Sequence, residues 1–198
     1  MTATANGQTQ TAVQTVTVSA APVVVTPPTS ASKLVISEVY GGGGNSGATY
    51  TNDFIEIFNA GTTSVNLGGY SVQYASATGT SWAVTPLTSV NLAPGQSYLV
   101  QQAKGAGGTT PLPTPDASGT LAMSGSAGQV ALVEGTAKIT GSTDAGVRDY
   151  VAYSGLSSST SAARLSPCTD TDAASDFKAG APTPQNTGAA PVNCVTPQ

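Results

Sequence analysis

Alternating hydrophobic and polar residues along the chain predict a protein built from many short β-strands. The clearest case is Asp53–Phe58, in which Glu56 shares one face with Phe54 and Phe58 while both isoleucines fall on the other. Turns rich in Gly, Pro and Asn separate such runs, and no segment sustains a helical period. Short strands at this spacing predict an all-β sandwich or barrel. The other predicted strands are Leu34–Tyr40, Val65–Leu67, Tyr70–Ala75, Trp82–Val84, Gln96–Gln101, Gln129–Val133 and Asp149–Tyr153.

Residues 1–32 follow a different pattern, which predicts an extended N-terminal β arm. Two β-prone runs, Thr2–Ala5 and Gln8–Val18, flank Asn-Gly, which is a strong signal for a two-residue hairpin turn. A third run, Val23–Val25, lies between prolines that favour a semi-rigid linker. The chain therefore divides into the arm with its Pro-rich linker, residues 1–32, and a second part, residues 33–198.

The arm contains nothing that would keep it from pairing with another sheet. It has no charged residue, whereas natural edge strands are usually protected by lysine, proline or bulges. Val13 falls on one face of the predicted strand, and Val16 and Val18 fall on the other. We predict that these three valines and Val24 contact a partner protein, and that the arm adds a strand to a neighbouring copy.

Strand addition of this kind is a head-to-tail contact that does not close, so it would build a filament. Two other placements of the arm stay open. It is the last hairpin of an upstream immunoglobulin-like domain, or it pairs within its own chain or stays disordered. An isolated two-stranded hairpin is marginal in water, so every placement requires a sheet for the arm to join.

Composition excludes several classes of function. The 198 residues include 10 acidic and 6 basic side chains and no histidine. Without histidine, the chain cannot carry out Ser-His-Asp or Cys-His catalysis, and two cysteines cannot build a structural zinc site. So few basic residues, with a net charge of −4, disfavour nucleic-acid binding. No apolar run approaches the roughly 20 residues that span a bilayer.

A composition with little charge and many small polar residues is typical of an extracellular or cell-surface β-protein. In that setting the two cysteines, Cys168 and Cys194, predict a disulfide that attaches the C-terminal tail to the sandwich. Free thiols are the alternative, and no Cys-x-x-Cys spacing indicates a redox role.

An acidic run next to Cys168 allows two interpretations. Asp170, Asp172 and Asp176 place oxygen ligands at spacings that suit calcium. The run lacks the glycine and the bidentate glutamate of an EF-hand loop, and aspartate also favours turns for local reasons. Both interpretations, a weak calcium site and an ordinary solvated turn, therefore stay open. We predict no other metal or cofactor.

The remaining candidate residues favour structural roles, so no catalytic residue is predicted. Glu38 and Glu56 fall on neighbouring strands, but nothing around them supplies the sugar cleft that a glycosidase carboxylate pair requires. Trp82 is predicted in the core, with carbohydrate stacking as the alternative. The Gly41–Gly47 run lacks the lysine of a phosphate-binding loop, which favours a flexible loop between strands.

Several motifs, taken together in their order, resemble the lamin tail domain in its secreted bacterial form. The resemblance covers roughly residues 33–190 and leaves the arm outside. This sequence departs from many relatives around Ile139–Leu156, where the relatives carry a longer insertion with a second cysteine pair. The motifs are Leu34-Val-Ile-Ser-Glu-Val-Tyr-Gly-Gly-Gly-Gly-Asn-Ser-Gly, Thr51-Asn-Asp-Phe-Ile-Glu-Ile-Phe-Asn, Val65-Asn-Leu-Gly-Gly-Tyr-Ser-Val-Gln-Tyr, Leu92-Ala-Pro-Gly-Gln-Ser-Tyr-Leu-Val, Pro111-Leu-Pro-Thr-Pro-Asp and Cys168-Thr-Asp-Thr-Asp-Ala-Ala-Ser-Asp-Phe.

The resemblance implies an immunoglobulin-like β-sandwich without catalytic residues of its own. It also implies an accessory role, because such modules accompany endonuclease/exonuclease/phosphatase-type domains of larger secreted enzymes. Eukaryotic relatives contact DNA and chromatin, so weak DNA or glycan binding is a third function. The sequence thus predicts a non-enzymatic structural or interaction module that forms filaments through its arm, with the accessory and ligand-binding roles as alternatives.

Overall fold

The computed structural model describes residues 2–5, 8–11 and 33–194. At the N-terminus, β1 (Thr2–Ala5) pairs antiparallel with β2 (Gln8–Thr11), as the Asn-Gly signal predicts. These two strands form a sheet of their own among the described strands. The predicted partner-binding residues of the arm lie outside the described residues: Val13, Val16, Val18 and Val24.

Twelve further strands and one short helix make up the rest of the described chain. The strands are β3 (Leu34–Tyr40), β4 (Asn52–Asn59), β5 (Val65–Asn66), β6 (Tyr70–Ser76), β7 (Ala83–Pro86), β8 (Asn91–Leu92), β9 (Ser97–Lys104), β10 (Ala117–Ser118), β11 (Gly128–Glu134), β12 (Val147–Tyr153), β13 (Ser161–Arg164) and β14 (Phe177–Gly180). The helix is a 3₁₀ turn, Ala174–Asp176, immediately before β14.

The strands form an immunoglobulin-like β-sandwich, as predicted. One sheet has six strands in the order β10-β9-β4-β3-β13-β14, and the other has four in the order β12-β11-β6-β7. A small third pair joins β5 and β8. Within the described residues, no helix is long and apolar enough to cross a membrane.

All eight strands predicted after the arm are present, with ends that differ by up to three residues. The four strands that the pattern missed are short ones: β8, β10, β13 and β14. Ser161–Arg164 reads Ser-Ala-Ala-Arg and Phe177–Gly180 reads Phe-Lys-Ala-Gly, so neither contains the β-branched residues that mark a strand. Their pairing with β3 and with each other is what makes them strands.

The main core lies between the two sheets, and the alternation in β4 sets which side chains enter it. Ile55 and Ile57 point inward and are fully buried among apolar residues of both sheets. Phe54, Glu56 and Phe58 point to the opposite face of the six-stranded sheet, yet they are buried too. Other parts of the chain must therefore cover the outer face of this sheet.

The two sheets differ in width, so they do not overlap completely. Strand β12, at one edge of the four-stranded sheet, packs against β3. Strands β13 and β14 continue the six-stranded sheet beyond β3. The inner face of these last two strands therefore lies beside the free edge of β12.

Candidate interaction surfaces

The C-terminal segment, residues 181–194, crosses the outer face of the six-stranded sheet, and we call it the strap. It is attached by hydrogen bonds to three carboxylates that lie side by side on the sheet. Glu38 is on β3 and Glu56 is on β4. Asp116 immediately precedes β10 and accepts the N–H of Leu99 on β9 at 2.8 Å.

The strap meets these carboxylates with every second backbone N–H. Thr183 N–H donates to Glu38 Oε1 at 2.9 Å, and Gln185 N–H donates to Glu56 Oε2 at 2.7 Å. Thr187 N–H donates to Asp116 Oδ2 at 3.1 Å. Two prolines, at 182 and 184, occupy the alternate positions, where an extended chain directs its N–H away from the sheet. The Pro-x-Pro spacing therefore removes donors only where the strap does not use them.

Hydroxyl groups complete the surroundings of the two glutamates. Ser37 and Ser97 donate to Glu56 Oε1 at 2.7 and 3.1 Å, and Ser161 donates to Glu38 Oε1 at 2.5 Å. A bulge between Ile36 and Glu38 adds the extra residue, Ser37, to β3. Both carboxylates are thus engaged by the main chain and by serines, which is the arrangement of a structural attachment site.

Burial raises the pKa of both glutamates, because the interior disfavours the charged carboxylate. The pKa of Glu56 rises to about 7, with the nearby charge of Glu38 adding to the effect. The pKa of Glu38 is also raised by burial, although the hydrogen bonds from Ser161 and Thr183 oppose it. Neutral Glu56 keeps its partners, since a serine hydroxyl can accept its proton as readily as donate its own.

A disulfide bond between Cys168 and Cys194 holds the end of the strap. Both cysteines pack against a small apolar cluster of Val35, Phe58 and Ala60 on the outer face of the sheet. Close to it, Val192 N–H donates to the carbonyl of Gly95 at 2.8 Å. The disulfide and the strap thus cover Phe58 and Glu56, whereas Phe54 is buried in a separate cluster with Tyr40, Tyr50, Leu99 and Leu112.

Arg164, at the end of β13, binds the acidic run that sequence analysis considered for calcium. Its guanidinium contacts Asp170 Oδ1 at 3.1 Å and Asp176 Oδ2 at 3.2 Å. It also contacts buried Asp149 Oδ2 on β12 at 2.9 Å, and it lies over the ring of Phe177, 4.5 Å from its centroid. A permanently charged cation therefore stands between the carboxylates, and we call this arrangement the arginine cluster.

The third predicted calcium residue, Asp172, lies in the turn itself and is not part of the arginine cluster. Its N–H donates to Asp170 Oδ1 at 3.3 Å, and its own backbone has a φ of 57°. Thr171 donates twice to Asp176, which lowers the pKa of that carboxyl. Among the described residues, no group of three or more His, Cys, Asp or Glu side chains gathers in a way that could hold a metal ion.

Trp82 and the glycine-rich loop both have packing roles. Trp82 is only 3% exposed and packs with Ile139 and Tyr150 on the outer face of the four-stranded sheet, so its ring presents no face for a sugar. In the loop, Gly43 packs so closely on the backbone of Asn52 that a Cβ would overlap it. The loop is therefore a packed structure, whereas the sequence favoured a flexible one.

A groove of about 350 Å³ lies where the six-stranded sheet extends past β12. Its floor is the inner face of β13 and β14, with Ala162, Phe177 and Ala179, and its wall is β12 with Val151 and Tyr153. The arginine cluster closes one end. This is the surface at which the edge strands of both sheets come together.

Arg164, Asp149, Asp116 and the groove were not predicted from the sequence. Arg164 is one of only six basic residues, and it is the one that is nearly fully buried, at 7% exposure. The position of this arginine, in a Ser-Ala-Ala-Arg run close to an acidic stretch, was a usable sequence signal for the arginine cluster. Its partner Asp149 lies in another sheet, which no local pattern reveals.

Comparison with known proteins adds a family match. The family model described as Lamin Tail Domain matches residues 27–155. No curated protein matches the chain. Among solved structures, the chain is similar to a DUF4876 family protein from Bacteroides thetaiotaomicron VPI-5482, with 15% identity and a TM-score of 0.37. The match covers 63% of this chain and 51% of that one, so the chain spans about half the length of that protein.

Proposed function

The chain belongs to the lamin tail domain family, and on that premise we propose that it is an extracellular structural module that joins copies of itself through its N-terminal arm. The family consists of non-catalytic immunoglobulin-like β-sandwich modules, so an interaction role is the expected one. The residues that were candidates for catalysis or metal binding make structural contacts instead, which supports this view. Glu38 and Glu56 attach the strap, and Asp170 and Asp176 bind Arg164.

The observation that carries the proposal is the hairpin β1–β2, which forms a separate two-stranded sheet. Among the described strands, neither β1 nor β2 pairs with a strand of the sandwich. Two-stranded sheets are marginal in water unless another strand or surface joins them. The hairpin residues and the residues up to 32 carry no charge, so repulsion does not oppose their addition to another sheet.

An extracellular location is part of the same proposal. A disulfide joins the only two cysteines, and such bonds persist in oxidising surroundings. Fractionation of producing cells should recover the chain in the medium or on the cell surface, with both cysteines protected from alkylation. Recovery in the cytoplasm with two free thiols would contradict the proposed location.

Light scattering after size exclusion, together with electron microscopy, tests the self-association. We expect the intact chain to form particles that grow with concentration, and the variant V16K/V18K to stay monomeric because it charges one face of the arm. A matched control, T29K/S30K, adds the same two charges in the linker and should still assemble. The proposal fails if the intact chain is monomeric at every concentration, or if V16K/V18K assembles as well as the unchanged protein.

The accessory role beside an enzyme and the weak binding of DNA or glycans stay predictions from the resemblance. For DNA, the described arginines offer little, since Arg164 is buried in its cluster and Arg148 is paired with Glu134.

A further inference from the structure

We propose that the groove between β12 and β14 is the acceptor site, in which the N-terminal arm of a second copy pairs with the edge of β12. This inference rests on the proposed function, because it says where the arm binds. The groove is formed entirely by described residues, and the occupant is a named segment of a second copy.

The four-stranded sheet leaves a strand position open beside β12. The six-stranded sheet continues past that edge by two strands, β13 and β14. In a sandwich, the inner face of such strands is normally covered by the facing sheet. A strand added to β12 would lie over the exposed Ala179 and would extend the smaller sheet to five strands.

The floor of the groove suits the small side chains of the arm. Ala162 and Ala179 pair across β13 and β14; Ala162 is already covered by the core, whereas Ala179 is exposed and presents only a methyl group, so the floor is open above it. Phe177, which also belongs to the floor, adds a large apolar ring at one side and is only partly buried. Small β-branched side chains such as Val16 and Val18 suit a shallow apolar floor of this kind.

Only part of the β12 edge is open to pairing. The N–H of Tyr150 is engaged by Asp149 Oδ1 at 2.7 Å, and Asp149 belongs to the arginine cluster. That end of the edge is therefore occupied by a side chain. Pairing would run along Val151–Tyr153, where the wall of the groove is apolar.

The charges at one end of the groove favour an occupant without carboxylates. Asp170, Asp172 and Asp176 line one end of the groove, so an acidic segment would meet like charges there. The arm and linker have no charge before Lys33, and Lys33 itself lies 3.5 Å from Asp170 Oδ2. The arm is thus a segment that can enter the groove without bringing a carboxylate to this acidic end.

A second copy is favoured over the same chain because of the linker. Residues 12–32 can span up to about 70 Å when extended, and prolines at 22, 27 and 28 favour extension over a tight return. Lys33 lies at the acidic end of its own groove, so the arm would reach that groove only if the linker turned back on itself.

The test uses two full-length variants that each lose one half of the contact. A179W fills the floor of the groove, and V16K/V18K disables the arm. We expect each to be monomeric alone and a mixture to form only a dimer of about twice 19.4 kDa, because one intact arm meets one intact groove. The control L165W places the same ring on an exposed residue directly after β13 that does not line the groove, and it should assemble like the unchanged protein.

The outcomes separate this inference from the proposed function. If the unchanged chain assembles and A179W assembles equally well, the acceptor lies elsewhere and only the groove is rejected. If the unchanged chain never assembles, self-association is rejected as well. A mixture that forms particles larger than a dimer would also reject the groove as the acceptor.

Hydrogen exchange gives a second measurement that does not depend on the folding of A179W. In assembled protein, amides of β12 and β14 should exchange more slowly than in monomeric V16K/V18K. Equal exchange in the two samples would overturn the assignment. Protection of the same amides in a monomeric unchanged chain would show that the arm occupies its own groove, which also overturns it.

Discussion

Glu38 and Glu56 lie opposite each other on the paired strands β3 and β4, and both accept backbone hydrogen bonds from the strap. The donors, Thr183 and Gln185, are two residues apart, which matches the reach of an extended chain across neighbouring strands. Two buried acidic side chains therefore serve as attachment points for a segment that has no strand partner of its own. The first prediction follows from this relationship.

Stability should fall as the pH rises from about 4.5 to about 7. The folded pKa of Glu56 is about 7 and its ordinary value is 4.5, so within this window the folded state binds more protons than the unfolded state. The contribution of Glu56 is fully present below pH 4.5 and is lost as the pH passes 7. At about 1.4 kcal/mol per pKa unit, the loss amounts to at most about 3.5 kcal/mol. Urea unfolding across this range measures it.

The variant E56Q isolates this contribution, because a neutral amide can occupy the same position at every pH. We expect its unfolding free energy to vary less between pH 4.5 and 7 than that of the unchanged protein. Burial also raises the pKa of Asp53 to about 7, so Asp53 contributes in the same direction. The variant E56Q leaves Asp53 unaltered. The control E134Q changes an exposed glutamate. If the unfolding free energy of E134Q varied equally little with pH, Glu56 would not be the cause.

Loss of the disulfide should destabilise the protein by about 3–4 kcal/mol. The bond joins residues 26 apart in sequence, and a crosslink of that length restricts the unfolded chain by this amount. The variant C168S/C194S should show the loss in urea unfolding at fixed pH. Faster hydrogen exchange in the strap residues 181–194 should accompany it. A variant as stable as the unchanged protein would mean that the strap is held by its hydrogen bonds alone.

Removal of Arg164 should cost about 3–5 kcal/mol, because R164M leaves Asp149 buried with no cation beside it. Adding D149N should recover part of that loss, since the buried charge is then removed as well. The control R148M breaks only the exposed pair with Glu134, and it should cost less than about 1 kcal/mol. Equal effects of R164M and R148M would show that the arginine cluster contributes no more than a surface ion pair.

Calcium should leave the melting temperature unchanged. The carboxylates of Asp170 and Asp176 already bind the guanidinium of Arg164, so a calcium ion would have to displace a fixed cation. A calorimetric titration with calcium, with magnesium as the control, checks this. A rise in Tm with calcium that is lost in the variant D170N/D176N would establish the calcium site instead.

The sequence by itself determined the fold class and most of the strands. The alternation in Asp53–Phe58 sets which residues face the core, and that information is local, because successive side chains of a strand point to opposite faces. The Asn-Gly pair likewise determined the hairpin through the conformations that a two-residue turn requires. Lack of charge in residues 1–32 is also a property of the sequence alone.

Tertiary structure alone decided what the polar residues do. Glu38 contacts Thr183 across 145 positions and Arg164 contacts Ile36 across 128, and no local period encodes such pairs. The same holds for β13 and β14, whose weak strand propensity is overridden by pairing with β3, and thus for the groove that they form with β12. A buried carboxylate or guanidinium needs partners to offset its lost hydration, and folding supplies them from distant parts of the chain.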